Sequence, residues 1–217
     1  FGGTGFDLMV VFEALGRALN PEPMLGAAMA SRLLTKAGAD QEALLSGATK
    51  YAVAVGEVEA PYELDEIACT ATAKGDGHVL SGRKSSVYGG QAADVILVAA
   101  MLDGKPAVFE VQASDAQVAG YPMMDGGGAA EVLLDDTPAK LLMADATDAL
   151  NDALNAGALA LCAEAVGVME VTHEITLDYL RTRKQFGVPI GKFQVLQHRM
   201  VDMQTELEQA TSMAILA

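Results

Sequence analysis

A chain of 217 residues with 51% hydrophobic content is long enough to bury a sizeable core, as one large domain or two small ones. Its formal charge of -15, from 29 acidic against 14 basic residues, offers no broad basic surface to nucleic acid or to an anionic membrane, so neither is expected as a partner. No run approaches the roughly 18 uninterrupted apolar residues of a spanning helix, and the chain opens on Phe1 rather than on Met and a basic leader. A cytoplasmic protein without its true N-terminus is the expectation.

From Phe1 to about Lys50 apolar residues recur at helical spacing, first Leu8, Val11, Phe12 and Leu15, then Met24, Met29, Leu33 and Leu34. Asn20-Pro21 and Pro23 separate the two runs. Residues 1–50 therefore read as a partial helical domain. Between Tyr51 and about Met143 the texture changes to short β-rich runs beginning at Tyr51, Ile67, His78, Val95, Ala107 and Glu131, with Gly75-Asp76-Gly77 and Asp103-Gly104 as turns. These connections suit hairpins rather than crossovers, which predicts an antiparallel β-domain over 51–143.

The remainder, 144–217, reads as the start of a helical domain. Thr147 or Asp148 supplies an N-cap, and one proline-free helix runs to about Arg183. Gly187 and Pro189 interrupt it, and a second helix runs from near Phe193 to Ala217. Leu159, Cys162, Val166, Met169 and Val171 form an apolar stripe that needs cover from other helices. The fold class is α+β and multi-domain, with both ends expected to be truncated.

The residues with chemistry are few. Cys69 and Cys162 stand alone, without C-x-x-C spacing, and read as reduced core residues. His78, His173 and His198 are mutually distant, so neither a metal site nor a Ser/His/Asp triad is expected. Glu170 and Glu174, at i and i+4, read as a solvated acidic face. Arg83 and Lys84 read as cations at the exposed end of a strand, and Glu57 and Glu164 carry no assigned role.

The segment Tyr179-Leu-Arg-Thr-Arg-Lys-Gln-Phe-Gly-Val-Pro-Ile-Gly-Lys-Phe-Gln-Val-Leu-Gln-His198 closely resembles the R-x-Q-F-G-x-P-I-x-x-F-Q signature of acyl-CoA dehydrogenases. Gly56-Glu57-Val58 stands where that family has its T-E-P loop, and Gly75-Asp-Gly-His-Val-Leu-Ser-Gly-Arg-Lys84 resembles the strand entering K-x-W-I-T-N-G. The resemblance covers essentially the whole chain. It implies the acyl-CoA dehydrogenase-like fold: a helical segment, a β-domain and a helical bundle.

It also implies FAD as cofactor, an acyl-CoA thioester as substrate, an electron-transfer flavoprotein as acceptor, and an oligomer. In the family the signature reaches across a subunit interface to the adenosine and pyrophosphate of the neighbour's FAD, which implies that role for Arg183, Gln185, Phe186 and Gln194. A planar guanidinium suits a diphosphate, and an aromatic ring suits adenosine. As bare residues, Arg183 can equally be a cation at the negative end of its helix and Phe186 a core side chain.

The half facing the flavin ring departs from the family. The threonine of T-E-P falls at Gly56, the loop serine at Tyr62, the ring-packing tryptophan at Ser86 and the threonine after it at Tyr88. Glycine has no side-chain donor, and serine lacks the stacking area of an indole. A kept grip beside a lost ring pocket resembles the small subunit of heteromeric acyl-CoA dehydrogenases, the pimeloyl-CoA dehydrogenase type and the enzymes of steroid side-chain degradation, with Ala163-Glu164-Ala165-Val166-Gly167 as a local likeness. A heterotetramer is favoured over a homotetramer with a modified pocket.

Family chemistry removes a proton α to the thioester by a glutamate while hydride leaves the β-carbon for flavin N5. The usual base is expected beyond Ala217, and the position some members use on the long helix falls on Gly157. No residue here is assigned as catalytic acid or base. The alternative function is a non-catalytic scaffold or acyl-CoA-binding subunit.

Overall fold

The computed structural model describes residues 4–61 and 63–217. Three helices open the chain: α1 (Gly5–Ala18), α2 (Met24–Ala37) and the single turn α3 (Glu42–Leu45). Thr4 and Asp7 form a reciprocal capping box that starts α1, the Thr4 hydroxyl and backbone N–H both donating to the Asp7 carboxylate. Gly38, at φ +64°, ends α2 in the left-handed conformation.

Strands follow: β1 (Tyr51–Ala54), β2 (Thr70–Lys74), β3 (Gly77–Tyr88), β4 (Val95–Leu102), β5 (Lys105–Gln112), β6 (Gln117–Pro122) and β7 (Gly128–Met143). The two expected hairpins form where the sequence puts them. Gly75-Asp76 joins β2 to β3 with Lys74 opposite Gly77, and Asp103-Gly104, at φ +51° and +80°, joins β4 to β5 with Leu102 opposite Lys105.

The pairings close on themselves in the order β2, β3, β7, β5, β4 and back to β2, so these strands form a small barrel. The ladders of this ring are antiparallel except where β2 meets β4, at Thr70 opposite Met101. β1 also runs parallel to β4, Tyr51 pairing with Val95 and Ala54 with Val98. These parallel pairs join strands distant in sequence, which turn spacing cannot announce. β6, which among the described residues pairs with β7 alone, escaped the sequence reading because nearly all its residues are exposed and show no alternation.

Leu80, Val87, Ile96, Leu97, Val98, Val108, Phe109 and Val132, from both faces of the strands, form one buried cluster that Ala30, Leu33 and Leu34 of α2 join. At roughly 25 cal/mol per Å2 of apolar surface removed from water, this burial is the main stabilising term of the region.

The long helix α4 (Thr147–Thr182) has 36 residues, about 54 Å at 1.5 Å per residue. By length and composition alone it is apolar enough to cross a membrane, with an 18-residue window of mean hydropathy 1.5, which reflects its density of Ala and Leu. A short hairpin, β8 (Lys184–Gln185) and β9 (Val188–Pro189), connects it to α5 (Gln194–Leu216).

The chain divides into two compact units: Pro21–Gly157, containing the barrel, and residues 4–20 with 158–217. In the second unit α1 and α4 touch backbone to backbone. A Cβ on Gly16 would lie 2.0 Å from Glu164 O, and one on Gly167 would lie 2.1 Å from Glu13 O. The buried stripe of α4 is consequently small and shifted from the expected one. Ala156, Ala160, Ala163, Val166 and Gly167 are buried, whereas Cys162 is exposed and Leu159, Met169 and Val171 are half-buried. Close approach selects for size before hydrophobicity, which places small residues at the contact.

The acidic pair on α4 is a clamp rather than a solvated face. Arg17 donates to Glu170 through one nitrogen and to Glu174 through the other, at 3.2 Å.

Candidate functional site

Two regions carry the residues singled out by the sequence. The first is the edge of the barrel where the β1–β2 connection meets β3. Lys84, fully buried rather than a strand-end cation, donates from Nζ to Val55 O at 2.8 Å and to Glu57 Oε1 at 2.7 Å. Glu57 is itself only 5% exposed, and its two oxygens also accept the backbone N–H groups of Cys69 (3.0 Å) and Ala68 (2.8 Å).

Burial alone would raise the Glu57 pKa, but the Lys84 ammonium and the two amides outweigh it and leave the carboxyl below its ordinary value. Burial pulls Lys84 downward, partly offset by Glu57. The neighbouring Cys69 thiol, also buried, is pushed up to about 11. Sequence spacing gave no sign of this pair, because Glu57 and Lys84 lie 27 residues apart and meet only when the connection folds onto β3.

The connection closes on itself. Glu57 N donates to Ala60 O at 3.2 Å, and a Cβ at Gly56 would stand 3.0 Å from Pro61 O. A threonine side chain at 56 would require Pro61 O to give way by a few tenths of an ångström. Tyr62, expected at the position of the loop serine, lies outside the described residues.

Beyond Lys84, β3 bulges against β7: Lys84 pairs with Val132 and Val87 with Ala130, leaving Ser85 and Ser86 opposite Glu131. Ser86 takes φ +53°, and the Glu131 carboxylate fills the bulge. It accepts from Ser85 Oγ (2.8 Å), Ser86 N (3.3 Å) and Arg83 (2.8 Å). The Ser85 hydroxyl, then the Ser86 amide and Arg83, hold Glu131 below the usual carboxylate range. Tyr88 turns its phenol oxygen toward Gly127.

The second region is the β8–β9 hairpin and the start of α5. Phe186 and Gly187, at φ +52° and +82°, form the two-residue turn between Gln185 and Val188. Arg183 N donates to Tyr179 O and Ile190 N to Arg183 O, both at 2.8 Å, which fixes the hairpin to the end of α4. Phe186 is 91% exposed, so it is no core residue, and its ring stands edge-on to Phe193 at 6.0 Å and 84°.

Gln185 and Gln194 are exposed, the first donating only to the carbonyl of Lys184. Arg183 is exposed and has no ion-pair partner among the described residues. Residues 179–199 hold five of the chain's 14 Lys and Arg and no Asp or Glu, so this is a cationic island on an acidic protein. With the first amides of the 23-residue α5 beside it, the hairpin offers donors and positive potential to an anion.

A family model described as acyl-CoA dehydrogenase, C-terminal domain, matches residues 147–217. Acyl-CoA dehydrogenase FadE27 of Mycobacterium tuberculosis is 32% identical over 93% of this chain and 56% of its own length. Probable acyl-CoA dehydrogenase YngJ of Bacillus subtilis is 27% identical over 100% of this chain and 64% of its own. Residues 147–217 thus resemble the C-terminal domain of acyl-CoA dehydrogenases, and the chain as a whole is similar to members of that family.

Among solved structures, a chain of the ChsE4-ChsE5 complex from Mycobacterium tuberculosis matches with a TM-score of 0.84 at 27% identity, covering 98% of this chain and 61% of that one. A glutaryl-CoA dehydrogenase from Mycobacterium smegmatis in complex with FADH2 has the same fold, with a TM-score of 0.90 at 18% identity over 99% of this chain and 60% of that one. The chain thus spans between 56% and 64% of the length of these relatives.

Against the flavin such an acyl-CoA dehydrogenase fold implies, the two regions differ in chemical fit. The hairpin presents an exposed guanidinium, an open aromatic face and two amide side chains, which suit an adenosine diphosphate. The barrel edge presents Gly56, Ser86 and Tyr88, and the donors of its bulge are already committed to Glu131. Among the described residues, Gly56 has no side-chain donor and Ser86 has no ring to stack on an isoalloxazine.

Proposed function

We propose that this chain serves FAD-dependent α,β-dehydrogenation of an acyl-CoA thioester as one subunit of a cytoplasmic heteromer, a heterotetramer being favoured. The observation that carries the reading is the contrast at the hairpin: an Arg183 without an ion pair among the described residues and a 91% exposed Phe186, within an acid-free basic segment of an acidic chain. Exposed aromatic and arginine side chains on a fixed turn belong to a surface that finishes a site elsewhere.

Arg183 binds the diphosphate, Phe186 packs on adenine, and Gln185 and Gln194 hydrogen-bond around them. The cofactor, when bound, accepts the hydride. The residues of this chain bind and orient it, while the ring pocket and the glutamate base are supplied largely by the partner. An electron-transfer flavoprotein is the proposed acceptor. The ChsE4-ChsE5 complex among the structural relatives supports the heteromer, and a fatty acyl or steroid side-chain thioester is the proposed substrate class.

A second reading, a non-catalytic scaffold or acyl-CoA-binding subunit, is favoured by the closed loop at Gly56 and the spent donors beside Ser86. Purifying the chain alone and with a dehydrogenase-like partner, and recording flavin absorbance across size-exclusion peaks, separates the two. Flavin confined to a co-eluting heteromer is the expected result. A heteromer without flavin overturns the first reading and leaves the scaffold; a flavin-loaded homo-oligomer overturns the heteromer.

A further inference from the structure

The tip of the hairpin contains an arrangement that turn chemistry does not explain. A two-residue turn with both central φ angles positive calls for Asn, Asp or Gly, and Gly187 obeys. Phe186, at φ +52°, does not. A bulky residue there accepts backbone strain, and at 91% exposure it recovers almost nothing from burial within this chain. A ring kept under those conditions is directed at something outside the chain.

The direction is set by Phe193. It stands at the N-cap of α5, where its N–H donates to Ile190 O at 3.0 Å and its carbonyl accepts from Leu196 N (3.0 Å) and Gln197 N (3.2 Å). Gln197 Nε2 also donates to Gly191 O at 2.9 Å, bracing the same turn. Phe193 is therefore held by a helix start, and its ring stands perpendicular to that of Phe186 at 6.0 Å, which gives Phe186 a fixed neighbour on one side and leaves most of its surface open.

We propose that Phe193 is a positioning residue: its edge contact preorganises Phe186 as a stacking platform for the adenine of the flavin dinucleotide. The inference rests on the reading that this hairpin grips the adenosine diphosphate half of FAD. Preorganisation reduces the ordering entropy lost on binding, so its removal weakens affinity without deleting a direct contact.

The test is a double-substitution cycle on the assembled complex, stripped of flavin and titrated with FAD, with FMN as the probe lacking adenosine. Phe186→Ala and Phe193→Ala are each expected to weaken FAD about fivefold, with no further loss in the double variant and no change for FMN. Phe193→Tyr, which keeps the ring edge, restores affinity, whereas Phe193→Leu, which keeps apolar bulk at the helix start, does not. An equal loss from Phe193→Ala with or without Phe186, or full affinity in Phe193→Leu, overturns the positioning role while leaving the hairpin grip intact. Unchanged FAD affinity in Phe186→Ala overturns the underlying reading instead.

Discussion

The barrel edge around Glu57, Lys84 and Glu131 and the hairpin around Arg183 and Phe186 solve opposite problems. At the barrel edge polar side chains are turned inward and satisfied by their own chain: Lys84 by Glu57 and Val55 O, and Glu131 by Ser85, Ser86 and Arg83. At the hairpin the charged and aromatic groups point away from the chain, and the backbone alone is satisfied. A polar network closed on itself stabilises a fold and has little left to offer a ligand. A fixed turn with free side chains is costly alone and profitable in an assembly.

The comparison breaks most visibly at Lys84. Replacing it with Met leaves the buried Glu57 carboxylate without its cation, and denaturant unfolding should show a loss of roughly 3–5 kcal/mol. A loss below about 1 kcal/mol would mean that Glu57 reaches water. Next is the helix that carries the hairpin. Gly167→Ala drives a methyl into Glu13 O, and thermal unfolding should register about 1–3 kcal/mol or more, because the obstacle is backbone that cannot rotate away.

Arg183→Ala should leave the melting temperature of the chain unchanged while weakening FAD retention by the assembled complex roughly tenfold to a hundredfold. Equal flavin content in variant and parent would remove Arg183 from the site. The smallest effect is the acid limb. Glu57 titrates lower in the folded chain than the unfolded value near 4.3, so its contribution is fully present above that pH and is lost as pH falls through the folded value. Glu57→Gln should be less stable at neutral pH and show a shallower fall in stability between about pH 5 and 3 than the parent; identical acid slopes would show that another carboxylate governs the limb.

Much of the fold was legible because its signals are local. Asp103-Gly104 and Gly75-Asp76 demand turns whatever surrounds them, and an uninterrupted Ala- and Leu-rich run from Thr147 forms a helix on propensity and periodicity. The turn that presents Arg183, Gln185, Phe186 and Gln194 was legible because its residues lie within a dozen positions of one another. The arrangement of Gly56, Ser86 and Tyr88 was not, because it depends on strand pairings between distant segments.

What the sequence by itself determined about this protein is therefore its resemblance to acyl-CoA dehydrogenases, most of its order of helices and strands, and the composition of the hairpin, all set by residues close together along the chain. Only the tertiary structure decided that Lys84 is buried against Glu57, that Glu170 and Glu174 clamp Arg17, that Cys162 is exposed while Gly16 and Gly167 line the α1–α4 contact, and that β1 lies parallel to β4. Each of those depends on distant segments meeting at a particular separation. Charge, size and hydrophobicity then act through the neighbour encountered, and a one-dimensional pattern carries no record of which neighbour that is.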